Sequence, residues 1–391
     1  MEEYKTYTLD ELSINGGSYG IGASAVPFDS SLHTYLRITD INDDGSLNKS
    51  GLMSVNGKDV NKYLLKPNDI VFARTGNSTG RSYFYDGSDG ELVYAGFLIK
   101  FSLDETKVNP WIMKYYTHSK PYYDWVLSFD TGGTRGNINA KTYGEMPIVL
   151  PSRHTQDRIV DILKPLDDKI EVNKRINENL EQQAQALFKS WFANCEKEVT
   201  IGDLSLNIND YTKSCYDKVV LVNSSDVTDG HFDHHNLSEN KNLKGHFKKR
   251  FNKGDILYSQ VRPRNRHWAY CTFDADNYLA STQLMVIRNK ENVIPSILLY
   301  KIVTDNNVWM DFTNKTETRS GTFPQGNYEE LSSIKVPFGA EMGNITKELE
   351  SIYALVFSNE EESRRLAELR DSLLPRLMSG ELKVNDVETI I

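Results

Sequence analysis

Two periodicities alternate along the chain, and together they predict its elements. Residues 70–76 (IVFARTG), 92–101 (LVYAGFLIKF), 255–261 (DILYSQV) and 278–287 (YLASTQLMVI) are β-branched and aromatic runs bounded by turn residues, which predicts strands. Residues 110–126 (PWIMKYYTHSKPYYDWV) and 294–312 (IPSILLYKIVTDNNVWMDF) open near a proline and continue at helical spacing. A third pattern follows each set. Ile159, Leu163, Leu166, Ile170, Asn173, Asn177, Leu180, Ala184, Leu187 and Trp191 recur at alternating steps of four and three. That is the heptad rhythm of a coiled-coil seam. Its outer positions are charged (Asp168, Lys169, Glu171, Lys174, Arg175), and its stripe is narrower than that of a helix docked on a globule.

Adding 186 to each seam position yields a second seam, which includes Ile352, Val356, Asn359, Leu366, Leu373 and Leu377. The same offset pairs Asp69-Ile70 with Asp255-Ile256, Asp40-Ile41 with Asp226-Val227, and Pro151 with Pro337. Gly-Thr turns in TGGTRGNINAKTYGE and RSGTFPQGNYEE align within about two residues. The chain therefore reads as two copies of one α+β globule, each followed by a long helix. The helices are expected to pair antiparallel as a coiled coil, relating the globules by a pseudo-twofold axis. Asn173 and Asn359 are expected to fix its register at some cost in stability. Pro165 is expected to kink or break the first helix near its start, so that the continuous part begins there and spans roughly 40 Å.

Composition narrows the function. The 391 residues exceed one ordinary core and predict two or three domains. No apolar run approaches the roughly 18 residues of a membrane span, and the acidic start MEEYKTYTLDELS has no apolar core of a signal peptide. Cys195, Cys215 and Cys271 lie far apart, which predicts a reducing, cytoplasmic setting with neither a disulfide framework nor a zinc site. The net charge is −9, from 45 basic and 54 acidic residues, yet the charge is segregated. Residues 241–266 carry nine Lys/Arg against one Asp.

Catalytic patterns are sparse. RTGNSTGRS (74–82) lacks the GK[ST] of a phosphate-binding loop and reads as a tight turn after a strand. HFDHH (231–235) fits no strong zinc spacing and reads as a solvated loop. What remains suits double-stranded DNA. Arg74, Arg81 and Arg135 in the first copy, and Lys248, Lys249, Arg250, Arg262, Arg264, Arg266 and Arg319 in the second, sit among turn glycines and aromatics. Such cations neutralise phosphates, and arginine can also bond guanine in a bidentate way; Gln260 has the chemistry to read adenine. Two other classes stay open: a coiled-coil scaffold that joins protein partners without DNA specificity, and a nucleotide-handling enzyme built on RTGNSTGRS and HFDHH.

At this point the residues resemble a family. LPSRHTQDRIVDILKPLDDKIEVNKRINENLEQQAQALFKSWF (150–192) is similar to the central spacer of type I restriction–modification specificity subunits. LRDSLLPRLMSGELKV (369–384) is similar to its C-terminal counterpart. YLRITDINDDGSL, DIVFARTGNSTGRS and GGTRGNIN are similar to segments of the family's target-recognition domains; SQVRPRNR, in the second copy, departs from them. The resemblance implies target-recognition domains at 1–150 and 195–336, separated by spacer helices at 151–194 and 337–391. It implies that each domain reads one half of a bipartite DNA site and that the paired helices set the gap, with half-sites roughly one helical turn apart. It further implies no catalysis and no cofactor of the chain's own. Two modification subunits would supply S-adenosylmethionine-dependent methylation of adenine, restriction subunits would supply ATP- and magnesium-dependent steps, and no membrane would be involved.

Overall fold

The computed structural model describes residues 4–129, 136–241, 243, 245–317, 324–339 and 341–387. The chain divides into two compact units, Met1–Glu171 with Ser363–Ile391, and Val172–Glu362. Each unit is α+β, and each is built on the same plan.

In the first unit, the strand Asp69–Ala73 is buried at every position and lies inside an antiparallel sheet. The order is Ser18–Tyr19, Leu98–Ser102, Asp69–Ala73, Ser82–Tyr85. A second sheet runs Ala25–Val26, Met53–Val55, His33–Leu36, Leu92–Tyr94, and its last pair is parallel. A strand buried on both faces must be apolar without alternation, which is why IVFA is continuous. Helices Pro110–Tyr116, Lys120–Leu127 and Ala140–Gly144 cover the sheet. Phe72 stacks on Tyr143 with ring centroids 4.8 Å apart, in a core that also takes Ile159 and Leu163 of one long helix and Leu373 and Leu377 of the other.

The second unit repeats this plan at the level of register. Ile70 lies opposite Phe84 and Phe101, and Ile256 lies opposite Tyr270 and Ile287. The parallel pair Thr34–Leu92 becomes Val220–Tyr278. Every one of these partners is displaced by 186. The paired aspartates of the sequence explain themselves here. Asp69 and Asp255 are both 1% exposed; their carboxylates accept from the main-chain N–H of Lys66 (2.8 Å) and Asn252 (2.7 Å). A cation on the neighbouring strand neutralises each: Lys100 at 3.1 Å in one copy, Arg288 at 2.6 and 2.7 Å in the other. Asp40 and Asp226 likewise accept from the N–H of Arg37 and Asn223, three residues earlier. A short carboxylate closing its own turn is a local device that duplication copies whole.

The long helices are Arg153–Ala193 and Gly343–Ser379. The first has 41 residues, about 60 Å at 1.5 Å per residue, and Pro165 lies inside it without ending it. Of the kink or break expected there, the break is corrected: the continuous helix begins at Arg153, not at Pro165. Ile159 and Leu163, in the two turns before the proline, are fully buried in the first unit's core and hold that segment helical. The second helix carries Pro375 in the same way, between the buried Leu374 and Leu377. Packing outweighs the roughly 3 kcal/mol a helix-interior proline costs.

The helices run antiparallel, as seen within each unit. In the second, Asn173 donates to the main-chain oxygen of Asn359 (3.3 Å) and to Glu362 (2.8 Å), and Asn177 donates to that of Val356 (3.1 Å). Asn359 donates to Asn177 Oδ1 at 2.8 Å, and Trp191 Nε1 donates to the oxygen of Glu341 at 3.1 Å. Asn173, Asn359, Val356 and Trp191 are buried, whereas Leu180, Leu187 and Ile352 are half-buried. In the first unit, Leu166, Ile170 and Leu366 are half-buried, and Asp167 joins Arg370 (2.8 Å) and Lys114 (3.2 Å). Burial pushes the Asp167 carboxyl upward, but Lys114 and Arg370 outweigh it and hold the group below its ordinary range. Among the described residues no helix is long and apolar enough to cross a membrane.

Candidate nucleic-acid interface

The segment RTGNSTGRS is the connection of a hairpin. It leaves the buried strand Asp69–Ala73, makes a 3-10 turn at Gly76–Ser78 and returns as Ser82–Tyr85. SQVRPRNR does the same between Ile256–Ser259 and Trp268–Tyr270, turning at Pro263–Asn265. The two loops differ in chemistry yet share a backbone. Gly76 and Gly80 have φ of +77° and +87°; at the equivalent positions Arg262 and Arg266 have φ of +49° and +53°. A left-handed arginine costs about 1–2 kcal/mol relative to its relaxed state, so the surrounding frame must impose the conformation.

That frame is visible. Arg74 donates its N–H to the carbonyl of Phe97 (3.1 Å) and accepts from the N–H of Ile138 (3.0 Å). Gln260 donates to the carbonyl of Gln283 (2.9 Å) and accepts from Gly326 (2.8 Å). Bridges Thr75–Asn137 and Val261–Gln325 complete the brace. Each loop is thus tied to the turn before the inner strand and to the segment entering a short helix capped by Asn139 or Asn327.

The candidate residues sort by what already holds them. Arg74 lies over the Tyr19 ring at 4.9 Å and donates to Asn137 Oδ1 at 3.3 Å, with its outer face half-exposed. Arg81 is bound to Asp43 (2.6 Å) and to the carbonyl of Ile41 (3.0 Å), which ties down the adjoining loop. Lys248 is exposed and lies over Tyr211 at 5.1 Å. Lys249 does not reach solvent: it is 4% exposed, and its Nζ donates to the carbonyl of Leu284 at 2.8 Å. Burial pushes its pKa below the ordinary lysine value, and a phosphate contact at Lys249 is corrected to a structural role. Arg250 donates to the carbonyl of Asp276 at 2.8 Å. Arg262 and Arg264 are exposed at the second hairpin's tip. Arg266 instead lies over Trp309 at 4.3 Å and donates to Asn306 at 2.8 Å, while Trp309 Nε1 donates to the carbonyl of Pro263 at 2.8 Å. It clamps the tip. Arg135 and Arg319 lie outside the described residues.

The histidines of HFDHH face separate partners: His231 meets Glu360 (3.0 Å), His234 meets Asp226 (3.3 Å), and His235 meets the Tyr278 hydroxyl (2.7 Å). Sequence reasoning missed Phe97, Asn137, Gln283 and Gln325, all exposed beside the braced hubs. The amide identities at 137 and 325 were the available signal, but both sit where the repeat offset drifts from 186 to 188.

Residues 2–182 match the family described as "Type I restriction modification DNA specificity domain". Over 141 residues the chain is 38% identical to the type I restriction enzyme HindI specificity subunit of Haemophilus influenzae. That match covers 36% of this chain and spans about a third of the relative's length, 31%. The type I restriction enzyme MjaIX specificity subunit of Methanocaldococcus jannaschii is 22% identical over 310 residues, 70% of this chain and 69% of that protein. A solved type I restriction–modification S subunit from M. genitalium has the same fold, with a TM-score of 0.59 at 14% identity over 96% of each chain. Residues 2–182 thus match the type I restriction modification DNA specificity domain, and the chain is similar to specificity subunits of type I restriction enzymes.

Proposed function

We propose that this protein is the DNA sequence-recognition subunit of a type I restriction–modification complex and carries no catalysis of its own. Each α+β unit reads one half of a bipartite site, and the paired helices set the gap and dock two modification subunits. S-adenosylmethionine, and ATP with magnesium, are held by the modification and restriction subunits of that complex, which works in the cytoplasm. The observation that carries this reading is the repetition of one braced hairpin in both copies, with side chains suited to base edges and phosphates at each. Exposed apolar side chains on the helices (Val172, Ile176, Leu355 and Leu369) support the docking role, because a two-helix spacer needs none of them for its own seam.

The test is selection from a random duplex pool by this chain together with its modification subunit. Enrichment of an interrupted two-part sequence is expected. Recovery of the modification subunit with no enriched sequence would establish the scaffold reading instead, which the net charge of −9 favours.

A further inference from the structure

The braced hubs put three side chains on each unit in equivalent places. Position 74 corresponds to 260, 97 to 283, and 137 to 325; the first two pairs follow from strand register and the third from the matching bridges. The main chain at each hub is fixed by the same two hydrogen bonds. The first unit places Arg74, Phe97 and Asn137 there, and the second places Gln260, Gln283 and Gln325. We propose that these three positions are the base-reading triad of each unit, and that the two triads read different chemistry: a guanine-containing half-site in the first unit and an A·T half-site in the second.

The chemistry follows from the side chains. Arg74 presents a guanidinium whose plane is held by Tyr19 and Asn137, so little rotamer freedom remains to be lost on binding. Such a fork matches guanine O6 and N7. Asn137 accepts from Arg74 through Oδ1 and keeps its amide hydrogens for an adenine or thymine edge. Phe97 is 61% exposed, a placement suited to a thymine methyl or to a wedge between base steps. The second triad has no charge and no ring. Three carboxamides each offer a donor and an acceptor, the pairing that adenine N6 and N7 require. Gln283 is oriented by a hydrogen bond from Ser224 Oγ to its Oε1 (3.3 Å), and Gln325 is exposed. Charge in the second unit is displaced to the tip, where Arg262 and Arg264 suit phosphates. Both triads stand on strand ends and bridged turns rather than on the hairpin tips, which is the mount a base reader needs.

The inference rests on the DNA-recognition reading, and one experiment separates the two. The full chain with its modification subunit is selected against a random duplex pool, beside a variant carrying Arg74→Gln, Phe97→Gln and Asn137→Gln. The variant is expected to lose its guanine preference in one half-site by roughly 10- to 100-fold, gain A·T there, and leave the other half-site and the gap unchanged. Gln325→Ala, a small change at an exposed site, is expected to relax one A·T pair of the second half-site by about 10-fold and nothing else. If the unmodified chain selects no bipartite sequence, the DNA reading falls and the triads with it. If it selects one and both variants select the same one, the triad assignment alone is overturned. Should the triple variant not fold, Gln325→Ala decides by itself.

Discussion

Among individual residues, burial decides which cations are available to a ligand. Lys248 and Lys249 are neighbours in sequence, yet one is exposed and the other donates to the Leu284 carbonyl inside the sheet. Lys248→Ala is expected to lower DNA affinity uniformly and to reduce the slope of log K against log salt by about one. Lys249→Met is expected to leave that slope unchanged; filter binding across a salt series checks both. Asp255 makes the complementary case. Its carboxylate serves the Asn252 N–H and both arms of Arg288, so Asp255→Ala leaves a half-buried guanidinium and a turn N–H without their acceptor. A loss of about 2–3 kcal/mol is expected in urea unfolding, after discounting for the solvent that reaches Arg288. None of this is legible in sequence, because lysines 248 and 249 differ only in which strand face they occupy. Arg266 shows the same limit: it belongs to a basic run, but Trp309 claims it from 43 residues away.

Elements proved more legible than residues, for a physical reason. The strand register and the helical seam depend on periodicity, which a duplicated sequence displays twice. The exceptions are instructive. Pro165 signals a break locally, but Ile159 and Leu163 bury the preceding turns and the helix continues. Across the seam, Asn177 and Asn359 share a hydrogen bond, and Asn173 reaches both Asn359 and Glu362. A double-mutant cycle on Asn177→Ala and Asn359→Ala should return a coupling of about 1 kcal/mol in urea unfolding. Zero coupling would show that the two carboxamides act independently. A second link at this scale is titratable. His231, in the strand His231–Phe232, bonds Glu360 of the second long helix, and that bond, with Glu181 and Asp229 nearby, raises its pKa despite partial burial. Because the folded value lies above the ordinary 6.5, the stabilisation is full below that pH and is lost as pH climbs through the raised value. Unfolding midpoints of the wild type and His231→Gln should therefore converge as the solution becomes alkaline.

For the whole molecule, the repeat was readable because three independent signals agreed: the paired Asp-Ile turns, the two seams and the two Gly-Thr segments; the likeness to specificity subunits came instead from the spacer segments 150–192 and 369–384. The base-facing triads were not, since their members meet through sheet register over separations of 23 to 65 residues. The proposed spacing role makes a metric prediction. Seven residues inserted between Ile170 and Leu180, with seven matching between Val356 and Leu366, preserve the heptad phase and lengthen the pair by about 10 Å. At 3.4 Å per base pair the preferred gap should grow by roughly 3 bp. An unchanged gap would mean that something other than the helices measures the site.

The left-handed turn residues carry a consequence for divergence. Glycine occupies these sites in one copy and arginine in the other, while the hairpin path is kept. The path is dictated from outside, by bridges to neighbouring segments, so a tip can trade an uncharged loop for a cationic one without a new folding problem. A duplicated gene built this way starts with two tolerant sockets, and its halves can acquire separate tastes one substitution at a time.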